Sequence, residues 1–316
     1  MYTCVTTFND KGGGACMDEK KDIIKRWFEE CERKKISPWK YDFKLELQTK
    51  EKEYFQEIID ESNAIKRIFV WYLSPVQATS ETETTQLAKT IYSILWNLDT
   101  SVLNRSFDMD VMNSFWTTYR FAIFKKYNAS YNKWQDNRIN LSAIYELDKK
   151  YYDYIEINNL FETFANYTHT IGNFIIESKG FNMGRKNDDY WDLGLSIIKD
   201  NLDVLETGLW KKYVKKFYLQ PFVREDYRVA ELWQNHLISE YTKPCAKNNE
   251  ETIELIKEFL GRVCPSIEER GKFIVKTLCE KLHLTDYTFY KNDLVNLTLV
   301  PKYSDELWRM KNDESI

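Results

Sequence analysis

The chain has 316 residues, of which 43% are hydrophobic and 16% aromatic, so it can bury a large core in one large domain or two closely packed ones. Its 45 Lys and Arg residues nearly balance 49 Asp and Glu residues, which excludes a strong overall field that would attract nucleic acid or a membrane surface. A local basic patch remains compatible with this balance.

The N-terminus has neither a basic start nor an apolar run, and no later window approaches the ~20 apolar residues of a membrane span. We therefore expect a cytoplasmic protein that does not enter a membrane. The six cysteines are widely spaced and form no CxxC pair, so free thiols are expected and a cysteine-based zinc site is not. We expect no cofactor.

Residues 1–16 lack periodicity and contain three consecutive glycines, Gly12 to Gly14, which predicts a flexible tail. Met17 opens the first helical pattern, and we leave open whether it is the natural start. No internal repeat or Pro/Gly/Ser-rich linker follows, so residues 17–316 are predicted to form one helical domain. If that domain is divided at all, we place the division near 128–140.

Apolar residues at helical spacing predict about ten helices along the chain. The apolar stripes lie at residues 23–31, 54–65, 87–102, 112–123, 141–155, 191–202, 209–217, 229–237, 253–260 and 273–282. Two capping-box pairs, Ser80 with Glu83 and Ser266 with Glu269, predict helix starts. The apolar run at 68–73 fits either a buried helix end or a strand.

A small β element is predicted within this helical pattern. The run IGNFII at 171–176 is short, apolar and followed by a Ser-Lys-Gly turn, which indicates a brief extended segment. Residues 293–301 are rich in β-favouring residues and are a candidate partner strand. The predicted fold class is therefore mainly α, a single multi-helix unit with at most a small β element around 171–176 and 294–300.

The segment 164–195 is the candidate site, because it interrupts the helical pattern with closely spaced Gly, Asn, His, Arg and acidic residues. In a functional interpretation, His169 is a base or ligand and Asn173 and Asn182 orient a substrate. Arg185 then binds a phosphate or carboxylate. This interpretation predicts that all four side chains point into one pocket.

A structural interpretation of the same segment is simpler, and we favour it. Asn173 and Asn182 would satisfy loop backbone, Arg185 would pair with a nearby acid, and Asp188 and Asp189 would cap the next helix. The helix from about residue 190 would then bury Trp191 and Leu195. Only the clustering of polar residues supports the functional interpretation.

The central segment resembles a bacterial family of unknown function. The shared elements are TIGNF, a following Asn and Arg, YWDLGL, and FYLQPFV at 217–223, which are similar to that family's TIGGF, Asn/Arg, DLTL and LQDLV elements. The likeness covers about residues 164–223. It informs architecture, because the family has no established activity to carry over.

The string HTIGNF at 169–174 is also similar to the HxLGNLTLL-like string of the HNH nuclease domain in GmrSD-type restriction enzymes. That likeness implies a metal-dependent phosphodiesterase with a divalent metal. However, the family's general-base histidine lies upstream, and no histidine precedes His169 here; the others are His236 and His283. The resemblance therefore implies a degenerate or inactive relative.

Four lysines alternate with aromatic rings at 210–218, a combination that can track a phosphate backbone and stack bases. They are Lys211, Lys212, Lys215 and Lys216. At helical spacing, Tyr213 and Phe217 share one face and the lysines occupy the neighbouring ones. We therefore favour a solvated surface helix over a nucleic-acid site.

The chain has no GxxxxGK[ST], GxGxxG, GxSxG or HExxH motif, which disfavours the common NTPase, dinucleotide-binding, hydrolase and zincin classes. We expect a cytoplasmic bacterial binding or regulatory protein, with a link to phage defence suggested by the resemblances. The alternative is a nucleic-acid phosphodiesterase or other hydrolase centred on His169, the only hypothesis that needs a metal. The expected partner is another protein or a second copy, rather than nucleic acid.

Overall fold

The computed structural model describes residues 17–44, 46, 64–65, 67–68, 81–98, 107–113, 115, 118, 155–178, 191–230 and 249–303. Outside these residues lie the tail predicted at 1–16, the proposed division near 128–140 and residues 69–73 of the apolar run. Most of the stripes at 54–65, 112–123, 141–155 and 229–237 also lie outside them. Across the described part, every helix is too short or too polar to cross a membrane.

The described elements are mostly helical, as predicted. The helices are α1 (Met17–Lys34), α2 (Gln86–Trp96), α3 (Ile155–Thr168), α4 (Trp191–Leu205), α5 (Leu209–Lys216) and α6 (Asn249–Leu282). Short 3-10 turns occur at Pro38–Lys40, Thr82–Thr84, Ile171–Asn173 and Gln220–Phe222, and a π-helical turn at Tyr290–Leu294. The strands are β1 (Phe107–Val111) and β2 (Phe174–Ser178), which form one two-stranded sheet. A mainly α fold with a small β element is thus confirmed.

Helix α1 forms where the apolar stripe predicted it. Ile24, Trp27, Phe28 and Cys31 are buried on one face. Acidic residues occupy the first turn and basic residues the last, which complements the helix dipole. The burial of one apolar stripe and the favourable charges at the helix ends therefore both stabilise α1.

Helix α6 is the axis of the described fold. Its 34 residues span roughly 50 Å at 1.5 Å per residue. It contacts α2 and α3, the π-helical turn, and the 3-10 turns at Pro38–Lys40, Ile171–Asn173 and Gln220–Phe222. Val263, Ile267, Ile274 and Leu278 are completely buried along it. The central HTIGNF segment therefore lies against the longest helix among the described residues.

The two predicted helix starts at capping boxes are wrong. Ser266 lies inside α6, which continues through Pro265, and its hydroxyl oxygen is 3.0 Å from both the Arg262 and Pro221 carbonyl oxygens. Packing on both sides of Pro265 keeps the two predicted helices in one element. Near Ser80, α2 begins instead at Gln86, and the Thr85 hydroxyl accepts the capping hydrogen bond from the Ala88 amide at 3.3 Å.

The sheet pairs β1 with β2 antiparallel, from Phe107 opposite Ser178 to Val111 opposite Phe174. The extended segment thus begins at Phe174, because Ile171–Asn173 forms a 3-10 turn. The partner predicted at 294–300 is not its partner: that segment ends the π-helical turn and continues irregularly towards Tyr303, which bridges Arg224. Val229 likewise bridges Val223 rather than starting the predicted helix.

Candidate functional site

His169 follows the last residue of α3 and is buried, with 4% of its surface exposed. Its Nδ1 atom lies 2.8 Å from the Nζ atom of Lys44, itself only 1% exposed. Lys44 Nζ is also 2.8 Å from Asp42 Oδ2. The amide of Phe43 donates to the carbonyl oxygen of His169 at 3.0 Å. His169 is therefore fixed through both side chain and backbone to residues 42–44.

Burial lowers the pKa of His169 well below its ordinary value, and the positive charge of Lys44 lowers it further. Burial also lowers the pKa of Lys44, while Asp42 opposes that shift. A lysine ammonium can only donate, so Lys44 donates a hydrogen bond to Nδ1 of a neutral His169. The lone pair that a general base would use is thereby occupied inside the protein.

Asn173 is completely buried, and its amide makes hydrogen bonds in every direction that it can. Its Oδ1 accepts from the backbone amide of Asn113 at 3.0 Å and from Asn113 Nδ2 at 2.9 Å. Its Nδ2 donates to the carbonyl oxygens of Asn113 at 2.9 Å and Thr168 at 2.8 Å. Asn173 therefore joins the end of α3 to the residues after β1.

Gly172 allows the backbone of the HTIGNF segment to touch the backbone of α6. A Cβ atom at this position would lie 2.0 Å from the carbonyl oxygen of Ile267 and 3.0 Å from the amide nitrogen of Gly271. Both neighbours belong to the backbone of a long helix and cannot rotate away. Only glycine fits at position 172, because there is no space for a Cβ atom between the two backbones.

Arg270 anchors the same segment from the α6 side and was not among the predicted residues. It is 1% exposed; its Nε donates to the Phe217 carbonyl at 3.1 Å, and its Nη1 donates to the carbonyls of Gly172 at 2.8 Å and Phe174 at 2.6 Å. Burial lowers its pKa to about 10, so it stays charged at neutral pH. Its position between Ile267 and Ile274 on an apolar stripe was the sequence signal.

We call Lys44, His169, Gly172, Asn173 and Arg270 the buried clamp. His169 and Asn173 contact different partners, Lys44 and Asn113, in the described structure. Asn182 and Arg185 lie outside the described residues, so the four-residue pocket stays a prediction. The predicted burial of Leu195 is observed, whereas the side chain of Trp191 is outside the description.

Glu83 is a second buried polar group and lies in the 3-10 turn before α2. The hydroxyl of Thr82 donates to its Oε2 at 2.8 Å, and the hydroxyl of Tyr92 donates to its carbonyl oxygen at 3.1 Å. Burial, and then the negative charges of Asp110 and Glu81, raise the pKa of Glu83 well above its ordinary value. Within the described ranges, no three His, Cys, Asp or Glu residues are grouped as metal ligands.

The lysines of α5 lie on the surface. Lys211, Lys212 and Lys215 are exposed and Lys216 is half-buried. Lys211 Nζ lies 4.5 Å from the centroid of the Tyr227 ring, and Lys212 Nζ is 2.8 Å from Glu206 Oε1. The other face of α5 buries its apolar and aromatic residues, Leu209, Trp210, Tyr213 and Val214. α5 is therefore an amphipathic helix with a cationic outer face.

Comparison with known proteins adds no identification: no protein-family model, curated protein or solved structure matches this chain.

Proposed function

We propose that this chain is a cytoplasmic bacterial binding or regulatory protein that acts through its surface. The sequence resemblances suggest phage defence as its setting. The observation that carries the proposal is that His169 and Asn173 of the HTIGNF segment make their hydrogen bonds to other groups of the protein. The Nδ1 atom of His169 and the entire amide of Asn173 are engaged by other protein groups.

This observation favours binding over catalysis because a general base must reach the proton that it removes. A substrate at His169 would have to displace Lys44 and enter a place where the imidazole is 4% exposed. A substrate oriented by Asn173 would have to break bonds that join α3 to the residues after β1. Each step would disrupt the fold before any reaction began.

A cleavage assay tests this proposal against the hydrolase hypothesis. The purified chain is incubated with single-stranded DNA, double-stranded DNA and RNA in the presence of Mg²⁺ or Mn²⁺, beside His169→Ala as a matched protein. We expect no metal-dependent cleavage by either protein. Cleavage by the wild type that disappears in a folded His169→Ala variant would replace the binding proposal with the hydrolase.

A further inference from the structure

The cationic face of α5 is a local exception in an acidic chain. The eight residues LWKKYVKK contain four lysines and no acid, whereas the whole chain has a net charge of −4. Lys212 is paired with Glu206, but Lys215 makes no ion pair with any described residue, and Lys211 rests on the Tyr227 ring. Lys211 and Lys215 are one helical turn apart, so their charges form one stripe.

Two apolar side chains are exposed at the end of α4, the helix that precedes α5 in the chain and contacts it. Val204 is 85% exposed and Leu205 is 42% exposed. The chain then turns into α5 through Gly208, whose φ of 82° permits a tight connection. The two helices contact each other, and Glu206 Oε1 lies 2.8 Å from Lys212 Nζ across this turn. We call Val204, Leu205, Lys211, Lys212 and Lys215 the α4–α5 corner.

The two aromatic rings of α5 do not face solvent. Trp210 and Tyr213 are buried, and their polar atoms donate inward to the carbonyls of Tyr227 at 2.6 Å and Ile176 at 2.7 Å. Tyr227 is partly buried, and Lys211 Nζ lies over its ring. Binding of single-stranded nucleic acid relies on exposed rings as well as cations. The corner offers cations beside aliphatic side chains instead.

We propose that the α4–α5 corner binds an acidic protein segment that carries apolar side chains. Lys211 and Lys215 attract and orient the acids, while Val204 and Leu205 supply apolar surface that loses water on contact. The proposal rests on the binding function proposed above and names the chemistry of the partner. Binding of this partner needs both the lysine charges and the exposed apolar side chains.

Fluorescence anisotropy with defined probes tests this surface in the full chain. The probes are a labelled peptide of Glu-Glu-Leu repeats, a labelled peptide of Glu-Glu-Ser repeats and labelled oligothymidylate. We expect the Glu-Glu-Leu peptide to bind most tightly. Lys211→Glu/Lys215→Glu should weaken it about tenfold or more, and Val204→Ser/Leu205→Ser about threefold or more.

Lys35→Glu/Lys291→Glu is the matched control, because it makes the same charge change at two exposed lysines outside the corner. It should leave peptide affinity within about twofold, because neither lysine belongs to the corner and salt screens exposed charges that do not contact the peptide. Circular dichroism checks that every variant is folded. Comparing the two double variants therefore separates the effect of losing the corner lysines from the effect of changing the net charge of the protein.

Three results would overturn the proposal: no binding of the Glu-Glu-Leu peptide, equal loss in the Lys35/Lys291 control, or tighter binding of oligothymidylate that is insensitive to Val204→Ser/Leu205→Ser. The last result would assign the corner to a nucleic-acid backbone. None of these results affects the cleavage assay. Conversely, cleavage that depends on His169 would remove the proposed binding function without changing the peptide result.

Discussion

The buried clamp and the α4–α5 corner use polar side chains in opposite ways. In the clamp, His169, Asn173 and Arg270 are buried, and their hydrogen bonds run to other parts of the protein. At the corner, Lys211 and Lys215 are exposed on α5 and Val204 is exposed at the end of α4. Polar clustering in a sequence therefore marks either a fold-stabilising contact or a surface available to a partner, and burial separates the two.

Gly172→Ala should have the largest effect on the clamp. The added Cβ would meet the Ile267 carbonyl oxygen at 2.0 Å, so the backbone of the turn or of α6 must move. We expect a loss of about 3 kcal/mol or more in the free energy of unfolding, measured with urea. Gly261→Ala is the control: nothing lies within 4 Å of its Cβ, and the change should stabilise the helix by about 0.5–1 kcal/mol. Equal effects would refute the backbone contact.

Arg270→Met should destabilise the fold by about 3 kcal/mol, because three buried carbonyl oxygens lose their donor. Lys272→Met on the same helix removes a partly exposed charge that lies 3.1 Å from Glu268, and it should change stability by about 0.5 kcal/mol or less. Urea unfolding measures both variants. A loss below about 1 kcal/mol in Arg270→Met would mean that the clamp does not depend on this cation.

Glu83→Gln should stabilise the protein at neutral pH, because the amide removes a carboxyl group whose ionised form is disfavoured in this buried position. Burial beside Asp110 raises the folded-state pKa of Glu83, so the folded state holds its proton more tightly than the unfolded state. The wild type therefore loses stability as pH rises from the unfolded-state pKa towards the folded-state pKa. The advantage of the Glu83→Gln variant should shrink as pH falls to about 4. Melting curves at several pH values check this, and an advantage that grows in acid would show that the sign is wrong.

Substitutions at the corner should have the smallest effect on stability. Lys211→Glu/Lys215→Glu and Val204→Ser/Leu205→Ser change exposed side chains, so each should alter the free energy of unfolding by about 0.5 kcal/mol or less. Urea unfolding beside the clamp variants makes this comparison directly. A large loss at the corner would indicate that these residues serve the fold and would remove the contrast with the clamp.

The sequence predicted elements whose evidence is local. The stripe of Ile24, Trp27 and Cys31 defines α1, and LWKKYVKK defines the two faces of α5. The partner of β2 was missed because β1 is only five residues long and contains two aspartates, which are disfavoured in strands, although Phe107, Met109 and Val111 alternate with them at strand spacing. The capping-box spacing failed at Ser266, since tertiary packing carries α6 past Pro265.

The candidate site was located by its composition but could not be interpreted from it. His169 and Asn173 stood out as polar residues in an apolar run. Whether they face a substrate depends on Lys44 and Asn113, which are 125 and 60 residues away along the chain. Sequence periodicity carries no information about such long-range partners. Arg270 was detectable only as a charge on an apolar stripe, a signal that indicates burial without naming its three carbonyl partners.

The protonation state of His169 tests the clamp most directly. We expect nitrogen-15 NMR of the imidazole to show a neutral ring, with Nδ1 accepting a hydrogen bond from Lys44, and no titration as pH falls from 8 through the usual histidine range at about 6.5. His169→Gln assigns the signals. A ring that titrates near 6.5 while the protein remains folded would mean that His169 meets solvent, which would contradict the buried clamp and restore His169 as a candidate base.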